Sequence, residues 1–147
     1  MTTEKQIQNA IVWINALDPK EGFKKTTGRL GRELKDKTMT YCCLGVGCKV
    51  LDLPVDFDRL FSYELIDQVG LNDVSGLFLD PKERKTHKSE YLLENGNDRI
   101  SHLTDINDIV FKEDTDFSGM RTFILENLQY IFVPQVAEGL KKHYNKN

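Results

Sequence analysis

The chain has 147 residues, 39% hydrophobic and 29% charged, the size and composition of one folded domain over residues 1–147, which excludes a disordered tail. Lys and Arg number 20 against 23 Asp and Glu, a formal net charge of −3, which argues against stable nucleic-acid binding. No apolar run approaches the roughly 20 residues of a membrane span, and the opening MTTEKQIQNA carries no apolar signal segment, so the expectation is a cytoplasmic protein with no membrane contact.

Residues 3–17 read as an amphipathic helix. Ile7, Ala10, Ile11, Ile14 and Leu17 recur at helical spacing, and Thr3 with Gln6 forms a T-x-x-Q capping box. Trp13 lies off that stripe and is expected to cover a neighbouring segment. Asp18-Pro19 ends the helix, because proline disfavours helical geometry in the residue before it. Residues 19–40 are polar and punctuated by Gly22, Gly28 and Gly31, the pattern of a loop or ragged hairpin. Seven basic residues between 19 and 37, Lys20, Lys24, Lys25, Arg29, Arg32, Lys35 and Lys37, face three acidic ones. That local +4 leaves −7 for the rest of the chain.

YCCLGVGCKVLD, residues 41–52, is small and apolar. It reads as a buried helix, with a buried strand as the competing assignment. Two glycines inside a helix cost about 1 kcal/mol each relative to alanine, so Gly45 and Gly47 point to the close approach of another backbone or a ligand. A helix over 59–69 follows, with Leu60, Tyr63, Leu65, Ile66 and Val69 as apolar contacts and Gly70 as its C-terminal cap. Residues 76–79 and 91–93 read as short strands. Ser101 opens a short helix over 101–109. Asp116 caps a helix over 117–132, and Pro134 separates it from a last helix over 134–144. The sum is an α+β fold, one compact mostly helical domain with a small antiparallel sheet.

The three cysteines, Cys42, Cys43 and Cys48, form no C-x-x-C pair, and His87, His102 and His143 have no ligand spacing, so no metal and no cofactor are expected. Cys42 and Cys43 at the start of a helix beside a basic segment are candidate nucleophiles, with His102 as a possible base; the plainer reading is core packing. In TTGRLGR, glycine can turn backbone N–H groups towards an anion, and Arg29 and Arg32, with Lys24 and Lys25, can contact phosphate; the plainer reading is a solvated loop. In LTDIND, Thr104, Asp105, Asn107 and Asp108 offer hydrogen bonds to a base or ribose, against a plainer role in capping and turns. Tyr41, Phe78, Phe111 and Trp13 are candidate stacking partners for a base, although an aromatic is more often core.

These motifs together resemble a family of small uncharacterised bacteriophage and prophage proteins. Its layout is an N-terminal helix ending W-x-x-A-L, a basic glycine-containing stretch, Y/F-C-C-L-G-V-x-C, and L-T-x-L-N-D ahead of an aromatic-led helix. Trp13, Ala16 and Leu17 match the first piece, and Gly28 and Leu30 the second. Tyr41 to Val46 with Cys48 match the third. Leu103, Thr104, Asp105, Asn107 and Asp108 match the fourth, and Phe117 opens the last helix. Gly47 and Ile106 stand where the family has leucine, and residues 72–98 match only loosely. The resemblance implies phage origin and an accessory role in the cytoplasm of an infected bacterial host. By analogy with other small phage proteins, it implies anti-defence action: an oligomeric sponge that sequesters a nucleotide-derived immune signal. The alternatives are a phosphodiesterase or thiol hydrolase acting on such a signal through Cys42, Cys43 and His102, and an inhibitor that binds a host protein directly.

Overall fold

The computed structural model describes residues 1–72 and 103–145. The chain forms a compact, mostly helical α+β fold with one two-stranded antiparallel sheet among the described residues. Helix α1 (Thr3–Ala16) is followed by a 3-10 turn (Pro19–Glu21), strands β1 (Gly31–Glu33) and β2 (Met39–Tyr41), and helices α2 (Cys43–Val50) and α3 (Tyr63–Val69). After the undescribed segment come α4 (Leu103–Asp105), which widens into a π turn (Ile106–Val110), then α5 (Ser118–Glu126), α6 (Leu128–Ile131) and α7 (Pro134–Tyr144). None of the described helices is long and apolar enough to cross a membrane.

Helix α1 is the hub, packed against α2, α3 and α7. Its predicted stripe does bury Ala10, Ile14 and Leu17, and Trp13 is buried as well. Trp13 sits edge-on to Phe132, with centroids 6.0 Å apart, and donates its indole N–H to the Cys43 carbonyl at 2.8 Å. Polar residues on the flank fix the helix: Gln6 and Asn9 donate side-chain N–H groups to the carbonyls of Asp67 and Gln68 in α3. Gln6 is therefore spent on α3, and the capping box is not formed. The cap is Thr2, whose hydroxyl accepts from the Lys5 N–H at 3.1 Å.

The sheet is the 31–41 hairpin, with Arg32 opposite Thr40. The strands expected at 76–79 and 91–93 lie outside the described residues. Tyr41, assigned to the buried helix by its apolar neighbours, belongs to β2. Cys42 caps α2, its sulfur accepting from the Gly45 N–H at 3.4 Å. Of the two glycines of α2, Gly45 admits another backbone, whereas Gly47 admits side chains. A Cβ on Gly45 would run into the Leu30 carbonyl, and one on Gly47 would lie 2.9 Å from Leu65. The Leu30 carbonyl is held there by the Cys42 N–H at 3.0 Å.

Two helix boundaries differ from the sequence reading. The helix read from 59 starts at Tyr63, because Phe57 and Arg59 give their carbonyls to the hairpin: Leu30 N–H bonds the Arg59 carbonyl at 2.7 Å and Gly31 N–H bonds the Phe57 carbonyl at 2.9 Å. Ser62 caps it, and Gly70 ends it at φ 71, a left-handed turn that suits glycine. The helix read over 117–132 breaks at Asn127, whose side-chain amide donates to the Phe123 carbonyl at 2.8 Å. Leu128 and Ile131 still reach the core, so apolar periodicity runs across the break.

Candidate ligand-binding site

The LTDIND motif is a staple before it is anything else. Asn107 is fully buried in the π turn. Its Oδ1 accepts from the Cys43 N–H at 3.2 Å, one of the unpaired donors at the start of α2. Its Nδ2 donates to the Thr26 carbonyl at 3.1 Å and to Asp108 Oδ1 at 2.8 Å. Both amide hydrogens are thereby used. Asp108 Oδ2 accepts from the Gly28 N–H at 3.1 Å, across 80 residues of sequence. Three segments are thus tied together: the glycine loop, the head of α2 and the π turn. Asn107 does not serve as the ligand contact that its residue type suggested.

Where these segments meet, a cleft of about 180 Å³ opens. It is lined by Arg29, Cys42, Leu60, Phe61, Thr104, Asp105 and Asp108. Of the residues proposed from sequence, Arg29, Thr104, Asp105 and Asp108 converge here, and the candidate nucleophile Cys42 also lines the cleft, from its floor, at only 3% exposure. Leu60 and Phe61 were missed as site residues: periodicity put Leu60 on a helix face, whereas it is 55% exposed ahead of α3. Arg29 also pairs with Asp58, Nη1 to Oδ1 3.2 Å, and both side chains are solvated. Such a pair contributes little and leaves the guanidinium open to a better acceptor.

The remaining candidates lie elsewhere. Lys24 and Arg32 are exposed and do not line the cleft. Tyr41 is buried, its ring 5.7 Å edge-on from both Phe23 and Phe57, so it packs the core. Trp13 is likewise core, and Phe111 is half-buried against the core. Phe78 and His102 lie outside the described residues. The glycine loop does not form a nest of free amides. The N–H groups of Lys25, Thr26, Gly28, Leu30 and Gly31 donate to Thr115, Tyr41, Asp108, Arg59 and Phe57. Of the four basic residues read from sequence as phosphate contacts, only Arg29 lines the cleft.

Lys25 has a distinct fate. Its backbone pairs with β2 at Tyr41, and its ammonium is enclosed without a hydrogen-bond partner. Burial lowers its pKa despite the attraction of Cys43, Asp108, Asp114 and Cys42. The thiols respond oppositely. Burial pushes Cys42 up to about 12 and Cys48 up to about 11, and holds Cys43 well above its ordinary value. A nucleophilic cysteine needs a lowered pKa and access; these three are protonated at neutral pH and buried. Among the described residues no cluster of metal-ligating side chains occurs.

The cleft therefore has one cationic end, a carboxylate and hydroxyl wall, and an apolar lip. That arrangement can hold an anion at Arg29, accept hydroxyl or amino hydrogens at Asp105 and Asp108, and cover a flat ring with Leu60 and Phe61. No protein-family model, no curated protein and no solved structure matches the chain.

Proposed function

We propose that this chain is a phage-type accessory protein that binds and holds a nucleotide-derived host immune signal without cleaving it. The observation that carries this reading is the convergence of Arg29, Thr104, Asp105 and Asp108 with the apolar Leu60 and Phe61 around one cleft. A nucleotide has a phosphate for the arginine, ribose hydroxyls for the carboxylates, and a base for the apolar lip. The cleft's about 180 Å³ is below the roughly 300 Å³ at which drug-sized pockets begin, so it takes one nucleotide unit at most. The resemblance of Y-C-C-L-G-V-x-C to phage proteins supports phage origin, analogy with unrelated small phage proteins suggests the class of signal, and the buried protonated thiols favour holding over hydrolysis.

The test is a thermal-shift screen against cyclic dinucleotides and ADP-ribose derivatives, with each mixture then heat-denatured and analysed by HPLC. A ligand at a hundred times its Kd adds about 2.7 kcal/mol of stability. The expected result is a shift with the ligand recovered intact, abolished by Arg29→Glu and retained by Arg32→Glu. A ligand recovered in pieces would establish an enzyme instead. No shift with any nucleotide would overturn the reading in favour of a host-protein partner.

A further inference from the structure

A second cleft adjoins the first, and Phe61 lines both. It measures about 280 Å³ and lies along the segment between α2 and α3, with Val55, Arg59 and Tyr63 in its walls beside the carboxylates of Asp56 and Glu64. Its chemistry repeats that of the first. Each cleft has one arginine, a pair of carboxylates and one large apolar side chain left in water: Leu60, 55% exposed, in the first and Tyr63, 60% exposed, in the second. The two arginines rise from neighbouring backbone, since the Leu30 N–H that follows Arg29 bonds the Arg59 carbonyl at 2.7 Å. The Phe61 and Tyr63 rings stand edge to face, 5.7 Å apart with planes at 88°, which leaves the exposed tyrosine available to a stacking partner.

We propose that the two clefts are halves of one site and that its ligand is a dinucleotide, with one nucleoside unit on each side of Phe61. The inference rests on the nucleotide reading above and narrows it to ligands with two bases and two phosphates. Arg29 and Arg59 each meet one phosphate, and Leu60 and Tyr63 each cover one base. Each cleft alone falls short of the size of a drug-like site, whereas the two together fall within that range. A ligand that fills only the first cleft does not reach Arg59 and Tyr63, which line the second.

Calorimetric titration separates the cases. The probes are cyclic di-AMP and cyclic di-GMP, with 5′-AMP and 5′-GMP as half-ligands. Joining two half-sites commonly raises affinity by about a hundredfold or more, and that gap is expected between one cyclic dinucleotide and its mononucleotide. Tyr63→Ala removes a stacking surface and is expected to weaken the dinucleotide by about tenfold or more. Arg59→Glu, checked for fold by circular dichroism, is expected to collapse the ratio of the two affinities towards one. If the mononucleotide binds as tightly as the dinucleotide, or if Arg59→Glu and Tyr63→Ala leave the ratio intact, the two-cleft site is wrong while the nucleotide reading survives. If none of the four probes binds, the two-cleft site is wrong, and the nucleotide reading falls with it only when the ADP-ribose derivatives give no thermal shift either.

Discussion

Replacing Asn107 with alanine tests whether the LTDIND motif is the staple described above. The side chain is fully buried and makes three hydrogen bonds. Its loss strands the Cys43 N–H, buried at the head of α2 and out of reach of water, at a cost of about 1–3 kcal/mol. The Thr26 carbonyl loses its partner at about 1 kcal/mol, since that bond is only part-buried. The vacated amide leaves a small cavity worth about another 1 kcal/mol. The total is about 3–5 kcal/mol, against the 5–15 kcal/mol typical of a whole domain. Trp13 is the single tryptophan, and its indole bonds the carbonyl of the same Cys43, so its fluorescence reports on this junction. Urea unfolding followed by that signal, with a slope of about 2 kcal/mol per molar, is expected to show a midpoint lowered by about 1.5–2.5 M. Asn107→Asp keeps the shape but sets a second carboxylate against Asp108 Oδ1, 2.8 Å from the present amide nitrogen. It is expected to be destabilised at pH 7 and to recover part of the loss near pH 4. A loss below about 1 kcal/mol in the alanine variant would refute the staple.

Four further outcomes follow from the core. Gly45→Ala drives a methyl group into the Leu30 carbonyl, backbone against backbone, and is expected to cost at least about 3 kcal/mol by urea unfolding. The native thiols are expected to resist a thiol-specific chromophoric reagent at pH 8 and to react in urea. Because folding raises Cys42 from 9.0 to about 12 and Cys48 to about 11, the unfolded chain releases these protons first. Their stabilising contribution is complete below pH 9 and is lost as pH rises from 9 towards 11 and 12. Lys25 runs the other way: its pKa is lowered by folding, so stability gains with pH between its folded value and the unfolded 10.5. Lys25→Met removes that opposing trend along with the enclosed, unpartnered ammonium. It is expected to raise the melting temperature by about 3 °C, corresponding to about 1 kcal/mol, and to show the alkaline loss of the thiols more clearly.

Local signals carried most of the described fold. Asp18-Pro19, Pro134 and Gly70 mark boundaries that the backbone obeys, because proline and a left-handed cap act on their immediate neighbours. The glycines in YCCLGVGC foretold close packing, since only tertiary contact justifies them inside a helix: the Leu30 backbone at Gly45 and the Leu65 and Trp13 side chains at Gly47. Periodicity failed where a side chain or a neighbouring strand took over the backbone. Asn127 interrupts the helix from within, and the hairpin claims the carbonyls of Phe57 and Arg59 before α3 can start.

The candidate site was half legible. Asp105 and Asp108, three residues apart, fall on the same side by local geometry alone. Nothing local shows that Gly28 meets Asp108 across 80 residues, or that Leu60 and Phe61 turn to the same cleft as Arg29. The basic segment looked like one anion-binding loop because sequence displays its charges side by side. In three dimensions Arg32 and Lys24 are exposed away from the cleft lining, Lys25 is enclosed, and Arg29 alone of the four lines the cleft.

The most direct test of the account is a map of amide shifts in 15N-labelled protein as a mixture of the four ribonucleoside 5′-monophosphates is added at millimolar concentration. The expected result is saturable perturbation of Gly28, Arg29, Cys42, Phe61 and Thr104 to Asp108, the backbone around the cleft, with the amides near Ile7 and Gly139 in the groove between α1 and α7 unmoved. Perturbation centred on that groove, or none anywhere, would contradict it.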